Sequence, residues 1–130
     1  MVKNADGSPA QIKDISKRQT ISARYIEQIF QKLKKAGLIK SIRGRSGGYL
    51  LTKKPDEISV GDVIRAIEGK DIRLVACIAK NKGAEKICER YGNCAASKVW
   101  DEASKRLTDY FNTVTIKQIC EGQTKQVGEN

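Results

Sequence analysis

Residues 22–49 read SARYIEQIFQKLKKAGLIKSIRGRSGGY, and this stretch decides the fold. Ser22 is of the type that caps a helix by accepting from first-turn N–H groups. Behind it Ile26, Ile29, Phe30 and Leu33 recur at helical spacing, so the predicted helix extends to Lys35 with one apolar face. Gly37 supplies the stop. Leu38 to Arg43 and Tyr49 to Thr52 are rich in strand formers, and Gly44-Arg45-Ser46-Gly47-Gly48 between them reads as a hairpin tip.

Working outward, Ser8-Pro9-Ala10-Gln11 combines a capping serine, a proline at the first helical position and a glutamine placed to close a capping box. A short helix is therefore predicted to start there and run through Ile12 and Ile15 to Gln19, with Thr20 and Ile21 as the connection. Two helices joined so tightly and followed by a basic hairpin have the outline of a winged helix-turn-helix. On the other side, Ser59-Val60-Gly61-Asp62 is a second capping pattern, leading a helix through Val63, Ile64 and Ile67 to a stop at Gly69.

Asp71 to Asn93 is the least regular part and reads as a loop built around its cysteines. From Ala96, the positions Trp100, Ala103, Leu107, Tyr110 and Val114 alternate spacings of three and four, the pattern of a coiled-coil seam. An amphipathic helix lying on its own domain would show a similar stripe. A symmetric dimer is the expectation, because the preceding elements leave little surface for this helix to cover. Thr115 to Cys120 closes with a short helix. The fold class expected is mainly α with a small β-hairpin wing, a winged helix-turn-helix plus a long C-terminal dimerisation helix. Its parts are the DNA-binding unit (1–70), the cysteine loop (71–95), the dimerisation and closing helices (96–121) and a disordered polar tail (122–130).

A chain of 130 residues builds one respectable core, which disfavours an elaborate enzyme. Lys and Arg outnumber Asp and Glu 25 to 15, and a formal charge of +10 attracts a polyanion, with nucleic acid the first partner to consider. No stretch approaches the roughly 18 apolar residues of a membrane span, and no secretory signal is recognisable, so the expected location is the cytoplasm. With no histidine, imidazole-dependent triads and cysteine-histidine zinc fingers cannot be assembled.

The second helix of a helix-turn-helix presents its first turns to base edges while nearby cations touch phosphate. Arg24 and Gln28, four apart, share a face and have the chemistry to read guanine and adenine; Ser22 and Tyr25 can donate to phosphate. Glu27 is tolerated in that groove only where it accepts from a cytosine amino group, so it discriminates between sites. Arg43 and Arg45 flank the hairpin glycines, and Arg43 is the expected minor-groove side chain. Each polar residue alone could be plain helix solvation; their concentration before a basic hairpin favours double-stranded DNA.

Cys77, Cys88 and Cys94 are separated by eleven and six positions, with no close pair of the kind structural zinc prefers. Three thiolates suit an iron-sulfur cluster, while the spacing alone equally fits three buried free thiols. Cys120, in another element, reads as a core cysteine.

Ile26 to Ile39, the Arg43-Gly-Arg-Ser-Gly-Gly-Tyr49 segment and the cysteines before Val99-Trp100 together closely resemble the Rrf-two family of bacterial winged-helix transcriptional regulators. The resemblance runs from about Ser8 to Glu121, nearly the whole chain. It implies a homodimer that binds operator DNA and senses iron-sulfur status, redox state or nitric oxide. It also implies DNA contacts at Ser22, Arg24, Tyr25, Glu27, Gln28 and Arg43, and a cluster held by Cys77, Cys88 and Cys94, the 2Fe-2S form being favoured over 4Fe-4S. Two departures stand out. The family's longer first helix has only Met1 to Asp6 to form from, and Ser97 occupies the position of the histidine ligand of the iron-sulfur regulators. A cluster-free regulator that senses a metabolite or uses its cysteines as thiol switches is the alternative within the fold; an iron-sulfur carrier or electron-transfer protein would have no need of the basic wing.

Overall fold

The computed structural model describes residues 8–75 and 93–122. Cys77, Cys88 and the tail expected after Gly122 lie outside the described residues. The elements are α1 (Ile12–Gln19), α2 (Ala23–Lys35), β1 (Ile39–Ile42), β2 (Gly48–Leu51), a 3-10 turn (Pro55–Glu57), α3 (Val60–Glu68), α4 (Ala95–Thr113) and α5 (Ile116–Cys120).

The helix-turn-helix forms as its sequence dictates. Ser22 Oγ accepts from Tyr25 N at 3.2 Å, and Ile26, Phe30 and Leu33 turn inward. At the other end Gly37 takes φ +78°, its N–H reaching Lys34 O while Leu38 N reaches Leu33 O, the paired bonds that close a helix on a left-handed residue. Thr52 then ties the strands to this turn, its hydroxyl donating to Gly37 O at 2.5 Å.

The start of α1 differs from expectation. Ala10 forms a bridge with Tyr49, two reciprocal bonds of 2.9 Å, so Ala10 pairs as a strand residue and is not helical. The helix begins at Ile12, with Gln11 as an N-cap that makes no side-chain capping bond. A local capping signal yields here to a pairing partner on β2.

β1 and β2 pair antiparallel, Ile39 opposite Leu51 and Ile42 opposite Gly48. Ala10, Ile15, Ile26, Phe30, Leu33 and Ile39 form the buried core, with Tyr49 meeting Phe30 edge-on at 4.9 Å and Val63, Ala66 and Ile67 of α3 packed against it. Beside this core lies an apolar cavity of about 110 Å³ between the hairpin, α2 and Ile116.

The C-terminal helices are stitched to this unit. Ser59 bridges Thr115, with Val60 N donating to Val114 O and Ile116 N to Ile58 O. Each of these residues opens a capping box: Ser59 with Asp62, Thr115 with Gln118. Gly61 lets α4 come close to α3, since a Cβ there would run into the Asn112 side chain.

α4 therefore has more of its own domain to cover than expected. Ser97, Asp101, Ser104, Thr108 and Phe111 make one half-buried or buried stripe, with Ser104 fully enclosed. The apolar seam lies one residue round the helix, about 100° away. Trp100 and Tyr110 on that seam remain 43% and 40% exposed.

Candidate nucleic-acid interface and cysteine site

Arg24, Tyr25, Glu27 and Gln28 all stand exposed on the first two turns of α2, with Ser22 at its cap. Ser22 Oγ is occupied as an acceptor from Tyr25 N, which leaves its hydroxyl proton available to an external oxygen. Arg24 and Gln28, one turn apart, project from the same side. Arg43 and Arg45 are exposed in the turn between β1 and β2.

The four ion pairs among the described residues all involve Arg65, Arg73 or Arg106, on α3, α4 and the chain between them. Arg24, Lys32, Lys35, Arg43 and Arg45 take part in none of them, so these cations face solvent without an acidic partner in the described chain. Such a surface favours a polyanion.

Sequence reasoning did not find what holds the wing. Lys34 Nζ donates to Ser41 Oγ at 2.9 Å, joining the end of α2 to β1, and Gln11 Nε2 donates to Arg45 O at 3.4 Å. Lys34, a cation at the end of the recognition helix, is thus engaged as a brace. Between the arms, Gly47 is buried: a Cβ there would collide with the Ile42 carbonyl.

Of the expected cluster ligands only Cys94 lies within the described residues. It is half-buried, carries a free thiol and stands as the N-cap of α4. Ser97, at the position where a histidine would be a ligand, donates through its hydroxyl to Cys94 O at 2.6 Å. Its proton is spent on the backbone of the cysteine itself. Among the described residues no three ligand-type side chains gather around one point. Cys94 nonetheless suits a soft, anionic site: it is unpaired, half-accessible and at the helix end that favours negative charge. Cys120, expected in the core, is exposed at the last turn of the short α5, where Ile116 rather than the thiol lines the interior cavity.

Hydrogen bonding displaces the ionisation of Asp62 and of Arg65. The Ser59 backbone N–H, helped by Arg65, holds the Asp62 carboxyl below the ordinary 3.8, and hydrogen bonds to Asp62 and Asp71 raise Arg65 above its ordinary value.

A helix-turn-helix with an unpaired cationic face, followed by an arginine-bearing hairpin, defines a winged-helix protein of the DNA-binding regulator class. The chain is 38% identical over 120 residues to the helix-turn-helix-type transcriptional regulator IscR of Escherichia coli, covering 92% of this chain and 70% of that protein. A helix-turn-helix-type transcriptional regulator of Haemophilus influenzae is 38% identical over 116 residues, covering 89% and 73%. Among solved structures, CymR, the global cysteine regulator of B. subtilis, superposes with a TM-score of 0.67 at 29% identity over 90% of this chain and 81% of that one. IscR of T. potens gives 0.67 at 28% identity over 95% and 77%. The Rrf2 family, described as iron-dependent transcriptional regulators, matches residues 1–122, and the chain belongs to it. It is a transcriptional regulator, not an enzyme, and among the described residues no helix is long and apolar enough to cross a membrane.

Proposed function

We propose that this protein is a cytoplasmic homodimer that binds a double-stranded operator through α2 and the wing and reports iron-sulfur status through its cysteines. The observation that carries the DNA half is the cationic face itself, exposed and unpaired among the described residues. Arg24 and Gln28 read base edges, Glu27 rejects sites that lack a cytosine amino group, and Ser22 and Tyr25 bind phosphate. Arg43 enters the minor groove, with Arg45 beside it.

Cys77, Cys88 and Cys94 would hold the cluster, the two-iron form being preferred. Bound there, a cluster supplies a centre that changes charge or is lost on oxidation or reaction with nitric oxide. Three thiolates leave a ligand position to a weaker donor, and Ser97 is already committed to the Cys94 carbonyl. The dimer uses the seam of Trp100, Ala103, Leu107, Tyr110 and Val114, on which Trp100 and Tyr110 are exposed and the other three half-buried, beside the stripe that meets α3 and the run after it.

The test is a visible absorption and circular dichroism spectrum of protein purified without oxygen, with iron and sulfide assayed on the same sample. A sulfide-bearing chromophore is expected, and its stoichiometry reports nuclearity. A colourless protein that cannot be reconstituted overturns the cluster and favours regulation by thiol chemistry or a metabolite.

A further inference from the structure

Three acceptors from three parts of the chain meet on one guanidinium. Arg65 Nη2 donates to Asp62 Oδ1 at 2.8 Å, and Nη1 donates both to Asp71 Oδ1 at 3.1 Å and to Asn112 Oδ1 at 2.9 Å. Asp62 belongs to the first turn of α3, where its other oxygen accepts from Ser59 N at 3.0 Å. Asn112 sits near the end of α4, against Gly61. Asp71 begins the short run that leads from α3 toward Cys77.

That run is fastened twice more before Cys77 is reached. Arg73 pairs with Asp101 at 3.3 Å, and Leu74 N donates to Ser104 Oγ at 3.1 Å. Ser104 is fully buried and donates in turn to Trp100 O at 2.8 Å. The chain returns at Cys94, the N-cap of the same α4. Both ends of the cysteine-bearing stretch are therefore held by the helix that Arg65 ties to α3. On its other side α3 inserts Val63, Ala66 and Ile67 against Ile26, Phe30 and Leu33 of α2.

These links are half-exposed, Arg65 being 37% accessible and Asp71 45%, and pairs of this kind contribute little to overall stability. Their value is geometric. A planar guanidinium satisfies several acceptors only while they keep their mutual arrangement, so displacement of one is felt by the others.

We propose that Arg65 is the positioning residue through which the cysteine-bearing segment sets the placement of α3, and with it the recognition helix α2. The nature of the signal rests on the cluster reading above; the joint itself does not. A displacement of Asp71 is passed by Arg65 to Asp62 and Asn112, changing how α3 sits on α4, and α2 follows because it shares a core with α3.

The experiment compares full-length wild type with Asp71→Ala, with Arg65→Lys, which keeps the charge but loses the fork, and with Glu102→Ala. The last removes the exposed Arg106–Glu102 pair on α4 and is the control. Hydrogen exchange is measured on chelator-treated protein. Asp71→Ala and Arg65→Lys are expected to speed exchange by about two- to five-fold not only at Leu74 but in α2 around Phe30 to Leu33, which Asp71 does not contact. Glu102→Ala leaves α2 at the wild-type rate. Exchange that rises only in 71–75, with α2 unchanged, overturns the joint.

The second readout is the ratio of affinities for a duplex selected from a random pool, taken between iron- and sulfide-reconstituted and chelator-treated protein. It is expected to move toward one in Asp71→Ala and to stay at the wild-type value in Glu102→Ala; a wild-type ratio in Asp71→Ala also overturns the joint. A wild-type protein without chromophore counts against the cluster alone, and exchange in α2 then decides the joint.

Discussion

Replacing Gly48 by alanine tests how the wing is attached. A Cβ at this position would lie 2.5 Å from the Ala10 carbonyl oxygen and 2.9 Å from its carbon, at a φ of +155°. The obstacle is backbone, so no side chain can swing away. Relief requires β2 to separate from Ala10, breaking the two 2.9 Å bonds of the Ala10–Tyr49 bridge. At about 1 kcal/mol for each hydrogen bond, plus at least about 1 kcal/mol for residual overpacking, the expected loss is about 3 kcal/mol. For a chain of this size that corresponds to a fall of roughly 12 °C in Tm, measured by thermal unfolding in circular dichroism. Gly37→Ala is the comparison: Gly37 has φ +78° with nothing within 4 Å of an added Cβ. It loses only the left-handed backbone preference, about 1 kcal/mol or roughly 4 °C. A Gly48→Ala protein no less stable than Gly37→Ala would refute the account of the wing as a strand held between β1 and the lead into α1.

Four further outcomes are expected. Arg43→Ala weakens operator binding and lowers the slope of log affinity against log salt by about one, as titrations at several salt concentrations report; unchanged affinity removes Arg43 from the groove. Cys88→Ala abolishes the visible chromophore while light scattering still finds the dimer; a retained chromophore shifts the ligand set elsewhere. Leu107→Glu places a charge in the seam and raises the dimer Kd by about a hundredfold or more, so sedimentation at micromolar concentration finds a monomer. Asp62→Asn destabilises the fold near neutral pH, but its deficit against wild type shrinks as pH drops below 3.8. The folded carboxyl titrates below its ordinary value, so its stabilisation is complete above 3.8 and disappears as pH falls through the lower folded value. A deficit constant across that range contradicts the role given to the ionised form.

Much of the fold was legible because its signals are local. Ser22 and Ser59 cap helices where their sequence contexts predict, Gly37 ends α2, and Ile26, Phe30 and Leu33 mark its buried face. The hairpin arms came out within one residue of their predicted starts and ends. The misreadings share a cause. Ser8-Pro9-Ala10-Gln11 carries a sound capping pattern, yet Ala10 pairs with Tyr49, far along the chain. Cys120 has the composition of a core residue but ends a five-residue helix whose interior position goes to Ile116.

At the candidate site the division is similar. The cationic residues of α2 and the hairpin, the absence of histidine and the cysteine spacing are properties of the sequence by itself, as is the resemblance that family membership bears out. The tertiary structure alone decided which stripe of α4 is covered, because a shift of one residue turns a helix through about 100° and the apolar seam and the Ser104 stripe are neighbours. It also brought Arg65 to Asn112 across 47 positions, and Lys34 to Ser41 across a helix end. Caps and periodicities act over one or two turns and are written in adjacent residues. Contacts such as these form only when packing brings distant segments together, and no local pattern encodes their partners.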